Sequence, residues 1–261
     1  MATQTPFPQL LIFNGYFLMR PKAILFDLDD TLISPHQHRT FFWLKAISEI
    51  WKEQEDKSIP LPEDIQDLVK NVDNSAQGFW SEPDRHKTGR LDIRTARFKI
   101  FDAAIGSDPR FSQNMRWLIA DKCGALMFES TTIFPDAIST LKDLKMEGIK
   151  LALVTNGSSK PQRAKIQKFS LEQYFLHVQI EGEAGVGKPE LEAYKIAMNT
   201  LDVHAKETWM VGDNIEWEVV APQKLGIFSI WRDPRGYGIL PEGSTAKPDR
   251  IITNLTELKN H

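Results

Sequence analysis

The chain has 261 residues, of which 41% are hydrophobic and 26% charged, with a formal net charge of -3. This is ordinary globular composition, which excludes disorder as the default and gives no general attraction to nucleic acid or acidic membranes. The single cysteine, Cys123, can form no internal disulfide and has no companion for a zinc site, so a reduced, cytoplasmic protein is expected.

LLIFNGYFLM, residues 10–19, is too short to span a bilayer and lacks both a basic start and a small-residue cleavage site. Residues 1–18 therefore read as an N-terminal extension, a hairpin or a loosely held strand, with Met19 as an alternative start to the domain. KAILFD follows as a short buried strand. From residue 35 to residue 130 the apolar spacing is helical: FFWLKAISEIW places Phe41, Leu44, Ile47 and Trp51 on one face, and PEDIQDLVKNV, DIRTARFKIFDAAI and NMRWLIADKCGALMF continue the pattern. The basic residues between Arg85 and Lys99 are spread among apolar and acidic ones, as on a solvated helix face.

Beyond Thr131 helices and strands alternate. FPDAISTLKDLKMEG is a helix ended by Gly148, KLALVTN a strand, and SSKPQRAKIQKF a helix with Ser159 as its cap. HVQIEG, ETWMVGD and GIFSIW are further strands, separated by the helices PELEAYKIAMNTL and IEWEVVAPQKL. A glycine- and proline-rich loop, Asp233 to Pro248, precedes a last strand and helix. Such alternation predicts an α/β fold: a Rossmann-like parallel sheet core with helices on both faces, formed by residues 19–34 and 131–261, with a helical insert over 35–130.

In open parallel sheets, ligands bind beyond the carboxyl ends of the strands. Asp27 and Asp29 follow KAILF, Thr155 and Asn156 follow KLALV, Asp213 follows ETWMVG, and Lys188 opens the helix before that strand. Residues i and i+2 of an extended segment share a side, so Asp27 and Asp29 address one small volume. With Asp213 and Glu218, four carboxylates converge. Like charges 4 Å apart cost about 4 kcal/mol at an effective dielectric of 20, so several such pairs rival the stability of a whole domain. Lys188 supplies one positive charge and an oxygen-ligated divalent ion, best matched by magnesium, the remainder; a phosphate held between metal and lysine completes the site.

With DLDDT, VTNG, GKPE and VGDNIEWE in this order, the sequence resembles the haloacid dehalogenase-like hydrolases, in their phosphatase branch with a helical cap of the first type. The resemblance covers nearly everything from Lys22 onward. It implies that Asp27 is a nucleophile forming an aspartyl-phosphate, and that Asp29 is the acid that protonates the leaving alcohol and then activates water. It also implies that Thr155 and the Asn156 and Gly157 amides hold phosphoryl oxygens, and that Lys188 offsets negative charge. Magnesium would lie among Asp27, the Asp29 carbonyl, Asp213 and Glu218. Glu218 stands where the family commonly has a second Asp, which leaves Glu216 or Asn214 as substitutes. The insert would be the cap domain, with His36, Gln37, Arg39, Trp80, Arg85 and His86 as candidate substrate contacts.

The expected activity is magnesium-dependent phosphatase action on a small phosphorylated metabolite: a sugar phosphate, a sugar-acid phosphate or a nucleoside monophosphate. A phosphomutase of the same fold and a low-turnover phospho-ligand sensor are the alternatives. A haloacid dehalogenase is disfavoured, because its chemistry needs neither the metal nor the acid at Asp29. The expected partner is the small-molecule phosphate alone, with no nucleic acid and no membrane, in a monomer or homodimer.

Overall fold

The computed structural model describes residues 10–13, 16–34, 39–53, 61–233 and 235–259. The chain divides into two compact units: Met1–Ile33 with Ile133–His261, and Ser34–Thr132. The second unit begins one residue before and ends two residues after the insert read over 35–130, and the first unit takes in the segment read as an N-terminal extension. In the segment read as an extension, β1 (Leu10–Phe13) and β2 (Tyr16–Met19) pair antiparallel, with Leu10 opposite Met19.

The first unit is built on six parallel strands: β3 (Ala23–Phe26), β6 (Lys150–Thr155), β7 (His177–Ile180), β8 (Thr208–Gly212), β9 (Phe228–Arg232) and β10 (Arg250–Ile252). The short strands β4 (Ile33–Ser34) and β5 (Thr132–Ile133) mark where the chain leaves this unit and returns. The sheet order is β10-β9-β8-β3-β6-β7, so β3 is central and the chain runs first to one side of it, then to the other. Ligands of open α/β sheets bind beside such a reversal. Phe26, the last residue of β3, is level with Leu153 on one neighbour and Val211 on the other.

Strand alternation sends Ile24, Phe26, Leu151, Leu153 and Val211 to one face, where they pack with Leu141 and Leu144 of α6 (Ala137–Met146) and Ile166 of α7 (Ser159–Lys168). Ala23, Leu25, Ala152, Val154 and Met210 go to the other, against Tyr194, Ala197 and Leu201 of α9 (Leu191–Leu201). Both faces are covered, which is why these strands read as unbroken apolar runs. Between β7 and α9 lies the single turn α8 (Glu181–Ala184). IEWEVVAPQKL departs from the expected helix: Glu216–Val220 forms a wide π turn before the short α10 (Ala221–Gln223). Pro222 has no amide to continue an ordinary ladder there.

The second unit is helical: α1 (Arg39–Lys52), α2 (Ile65–Ser81), α3 (Pro83–Leu91), α4 (Ile93–Ile105) and α5 (Gln113–Ser130). Its core joins Trp43, Ile47, Trp51, Val72, Phe101, Phe111, Ile119 and Cys123. The buried stripe of α1 differs from the expected one: Phe42, Trp43, Ala46, Ile47, Ile50 and Trp51 face inward, while Phe41 is 54% exposed. Within that face Trp43 stacks on Phe101 with centroids 5.6 Å apart. Helix α3 escaped the sequence pattern because PDRHKTGRL offers a single large apolar residue to mark a face. Among the described residues, no helix is long and apolar enough to cross a membrane.

Candidate active site

The chain turns sharply after β3. Asp30 takes a positive φ of 56°, and the amides of Leu32 and Ile33 return to the Leu28 carbonyl, which brings Asp27 and Asp29 out at the end of the sheet. Asp27 is anchored by its amide to the Val211 carbonyl of β8 at 3.0 Å. Neighbouring β9 braces the same end: Trp231 Nε1 donates to the Asp213 carbonyl and Arg232 Nη1 to the Asp30 carbonyl, each at 2.6 Å.

At the centre is Lys188, with no exposed surface. Its Nζ lies 2.6 Å from Asp27 Oδ1 and 2.7 Å from Glu218 Oε1. Lys188 stands in the loop ahead of α9 rather than in the helix, so it escapes the unfavourable end of the helix dipole. Asn156 fixes that loop from both sides, donating from Nδ2 to the Lys188 carbonyl at 2.6 Å and accepting the Lys188 amide on Oδ1 at 2.8 Å.

Burial depresses the affinity of Lys188 for its proton, but Asp27 and Glu218 overcome this and hold its pKa above the ordinary lysine value. Burial drives the Asp27 carboxyl upward against the pull of Lys188. Glu218 is pushed up to about 7, by burial first. Asp213, half-buried, is pushed up to about 9 by burial and then by the charges of Asp27 and Glu218. Three carboxylates thus share one buried ammonium. The Asp213 carboxylate makes no hydrogen bond or ion pair among the described residues.

This excess of negative charge fits a hard cation. Asp27, Asp213 and the Asp29 carbonyl are an all-oxygen set of two carboxylates and one backbone group, which suits magnesium completed by water and phosphate. No cluster of three or more His, Cys, Asp or Glu side chains poised on a metal occurs among the described residues, and magnesium does not require one.

Several of these groups have partners within the protein that the sequence did not announce. Glu218 Oε1 lies 2.7 Å from the Lys188 ammonium and Oε2 accepts the Asn214 amide at 2.7 Å, so in this structure the carboxylate faces the lysine. Glu218 reaches that place because Gly212 has no Cβ; one there would lie 2.1 Å from Glu218 Cγ. Of the two alternatives, Asn214 Oδ1 accepts the Trp217 amide at 3.1 Å, and Glu216 is exposed beside Lys224. The Gly157 amide, expected to hold a phosphoryl oxygen, donates instead to Glu181 Oε2 at 3.0 Å. Ser158, not Ser159, precedes α7, and Ser159 Oγ donates to Glu183 Oε1 at 2.5 Å.

Thr155, 2% exposed, ends β6 and accepts from Gln162 Nε2 on Oγ1 at 2.6 Å. Asp29 is met by Lys165 and Gln162 from α7, neither of which the sequence reading singled out. A signal was present: Ile166 is the one large apolar residue of α7, and Gln162 lies one turn before it on the same inward face. Among the candidate substrate contacts of the helical unit, His36 and Gln37 lie outside the described residues. Arg39 and Arg85 are exposed, Trp80 packs edge-on to Phe79, and His86 Nδ1 sits 3.2 Å from Arg90 Nη1.

A parallel α/β sheet carrying paired aspartates, a buried lysine and an unsatisfied acidic group at its reversal point defines a catalytic domain. The family model of the haloacid dehalogenase-like hydrolases matches residues 21–226, and the chain belongs to that family. It is 34% identical over 126 residues to a phosphoserine phosphatase of Thermus thermophilus, a match covering 48% of this chain and 49% of that protein. It is 26% identical over 248 residues to a glyceraldehyde 3-phosphate phosphatase of Pyrococcus furiosus, covering 92% of each. Among solved structures, the magnesium-bound putative hydrolase YfnB of Bacillus subtilis superposes with a TM-score of 0.69 at 22% identity, covering 92% of this chain and 98% of that one. At that identity the likeness speaks for the fold alone.

Proposed function

We propose that this protein is a magnesium-dependent phosphatase of a small phosphorylated metabolite, acting through an aspartyl-phosphate on Asp27. The observation that carries this reading is the Asp27 carboxylate at the end of β3, 2.6 Å from the buried Lys188 ammonium, with the unpaired Asp213 carboxylate beside it. The names of the relatives agree with a small phosphate ester as substrate. Asp27 attacks phosphorus, Asp29 gives a proton to the leaving oxygen and then takes one from water, and the Thr155 hydroxyl contacts the phosphoryl group. Lys188 offsets the charge on Asp27 and on the group in transfer, while Glu218 holds Lys188 in place. Asp27, Asp213 and the Asp29 carbonyl would hold magnesium, which supplies positive charge against the phosphoryl oxygens.

The test is hydrolysis of an aryl phosphate by the purified protein with magnesium, with a chelator, and in the Asp27→Asn variant. Magnesium-dependent release that disappears in Asp27→Asn is expected. A folded protein that binds magnesium and a phosphate analogue without releasing product would favour the phosphomutase or sensor alternatives.

A further inference from the structure

We propose that Gln162 and Lys165 are positioning residues that hold Asp29 for proton transfer, a role that rests on the phosphatase reading above. Lys165 Nζ lies 2.8 Å from Asp29 Oδ1 and 2.9 Å from Oδ2, and it donates to Gln162 Oε1 at 2.8 Å. Gln162 Nε2 donates to Asp29 Oδ2 at 3.0 Å and to Thr155 Oγ1 at 2.6 Å. Gln162 is 4% exposed, so its amide has to find its partners within the protein, and here both ends of it do. The result is a connected set of bonds among Asp29, Thr155, Gln162 and Lys165.

The consequence is geometric. Asp29 lies on the loop after β3, and its side chain is 24% exposed; a carboxylate left to itself there would sample several rotamers. Proton transfer needs heavy atoms held within about 2.6–3.2 Å of each other. Gln162 ties Asp29 to Thr155 through one rigid amide, which fixes the spacing between the proton carrier and the hydroxyl that contacts the phosphoryl oxygens. Lys165 approaches both carboxylate oxygens and sets the plane of the group. Its ion pair has to loosen while Asp29 carries the proton, whereas the Gln162 bond to Oδ2 serves either protonation state.

The step that depends on this placement is balanced. As an Asp27 oxygen bonds to phosphorus, the bond from phosphorus to the ester oxygen breaks, and its electron pair stays on that oxygen, which takes the proton of Asp29. Water then bonds to phosphorus and yields a proton to Asp29, while the bond from phosphorus to Asp27 breaks. Ester and water have become alcohol and phosphate, and both aspartates are restored.

The experiment is a leaving-group series of substituted aryl phosphates, from 4-nitrophenyl to phenyl phosphate, run with magnesium on wild type, Lys165→Met, Lys165→Arg, Gln162→Leu and Asp29→Asn. A poor leaving group needs the proton and a good one does not. Lys165→Met and Gln162→Leu are expected to lose at least about tenfold more kcat on phenyl than on 4-nitrophenyl phosphate, within the range of general acid catalysis, with KM little moved. Lys165→Arg should recover part of the difference, and Lys165→Met added to Asp29→Asn should cost little more than Asp29→Asn alone. Parallel losses across the series, or a raised KM at constant kcat, would overturn the positioning role while leaving the phosphatase reading intact. Wild type inactive on every ester would overturn both.

Discussion

Glu218 Oε1 sits 2.7 Å from Lys188 Nζ, and neither side chain has any exposed surface. An acid at this position would serve either the metal or the lysine, and the two roles separate in the metal-free protein. Removing one partner of a buried pair leaves the other charge poorly compensated, at about 3–5 kcal/mol. Asp27 still faces Lys188, so Glu218→Ala is expected to cost about 3 kcal/mol, and Glu218→Gln, which keeps the bond to Asn214, about 1–2 kcal/mol. Urea unfolding in chelator is the measurement. A variant as stable as wild type without metal, yet needing far more magnesium for activity, would return Glu218 to the metal.

Gly212 should tolerate no side chain. A Cβ there would stand 2.1 Å from Glu218 Cγ, 2.8 Å from its Cδ and 3.0 Å from Asp27 Cβ. Gly212→Ala is expected to cost about 1–3 kcal/mol as overpacking, and to displace both acidic groups. Thermal unfolding and aryl phosphate turnover should fall together. Full activity in this variant would mean that Glu218 leaves its place in solution.

The sheet was legible because both of its faces are covered, so KAILF, KLALV and ETWMV are apolar without interruption and their ends mark the site. Asp27 and Asp213 could be placed from those ends, whereas Lys188, expected to open a helix, stands in the loop ahead of α9. What the sequence hid is the way polar side chains divide their partners. Nothing in VGDNIEWE tells whether Glu218 turns to a cation or to Lys188; that depends on the room left by Gly212. The Gly157 amide is drawn away by Glu181, 24 residues on. Lys165 and Gln162 carry no motif, and they matter because α7 lies against the loop of Asp29. On α1 the expected stripe shares Ile47 and Trp51 with the buried one, but Phe41 and Leu44 give way to Phe42, Trp43, Ala46 and Ile50.

Asn156 is expected to act on catalysis through the Lys188 backbone. Its amide satisfies both the Lys188 carbonyl and the Lys188 amide, so Asn156→Ala frees the loop that carries the ammonium. Loss of the paired bonds should cost about 1–3 kcal/mol in stability. A misplacement of about 1 Å at a reacting centre costs about 100-fold in rate, and kcat should fall on that scale. Turnover within about threefold of wild type would show that other contacts suffice to hold the loop.

Magnesium and pH should act on stability together. Asp213, at about 9, and Glu218, at about 7, both bind protons more tightly in the folded chain than at their ordinary values of 3.8 and 4.5. Between those limits the folded state holds more protons than the unfolded one, so metal-free stability falls as pH rises from about 4 towards 9. Below that window both states are protonated, and the penalty vanishes. A cation that favours ionised Asp213 opposes the loss, so its stabilising effect should grow with pH. Melting temperatures across pH 5 to 9, in chelator and in magnesium, provide the comparison. Expected are a decline with pH in chelator and a magnesium-induced gain that is larger at pH 8 than at pH 6; a gain independent of pH would mean that the cation is not held by Asp213.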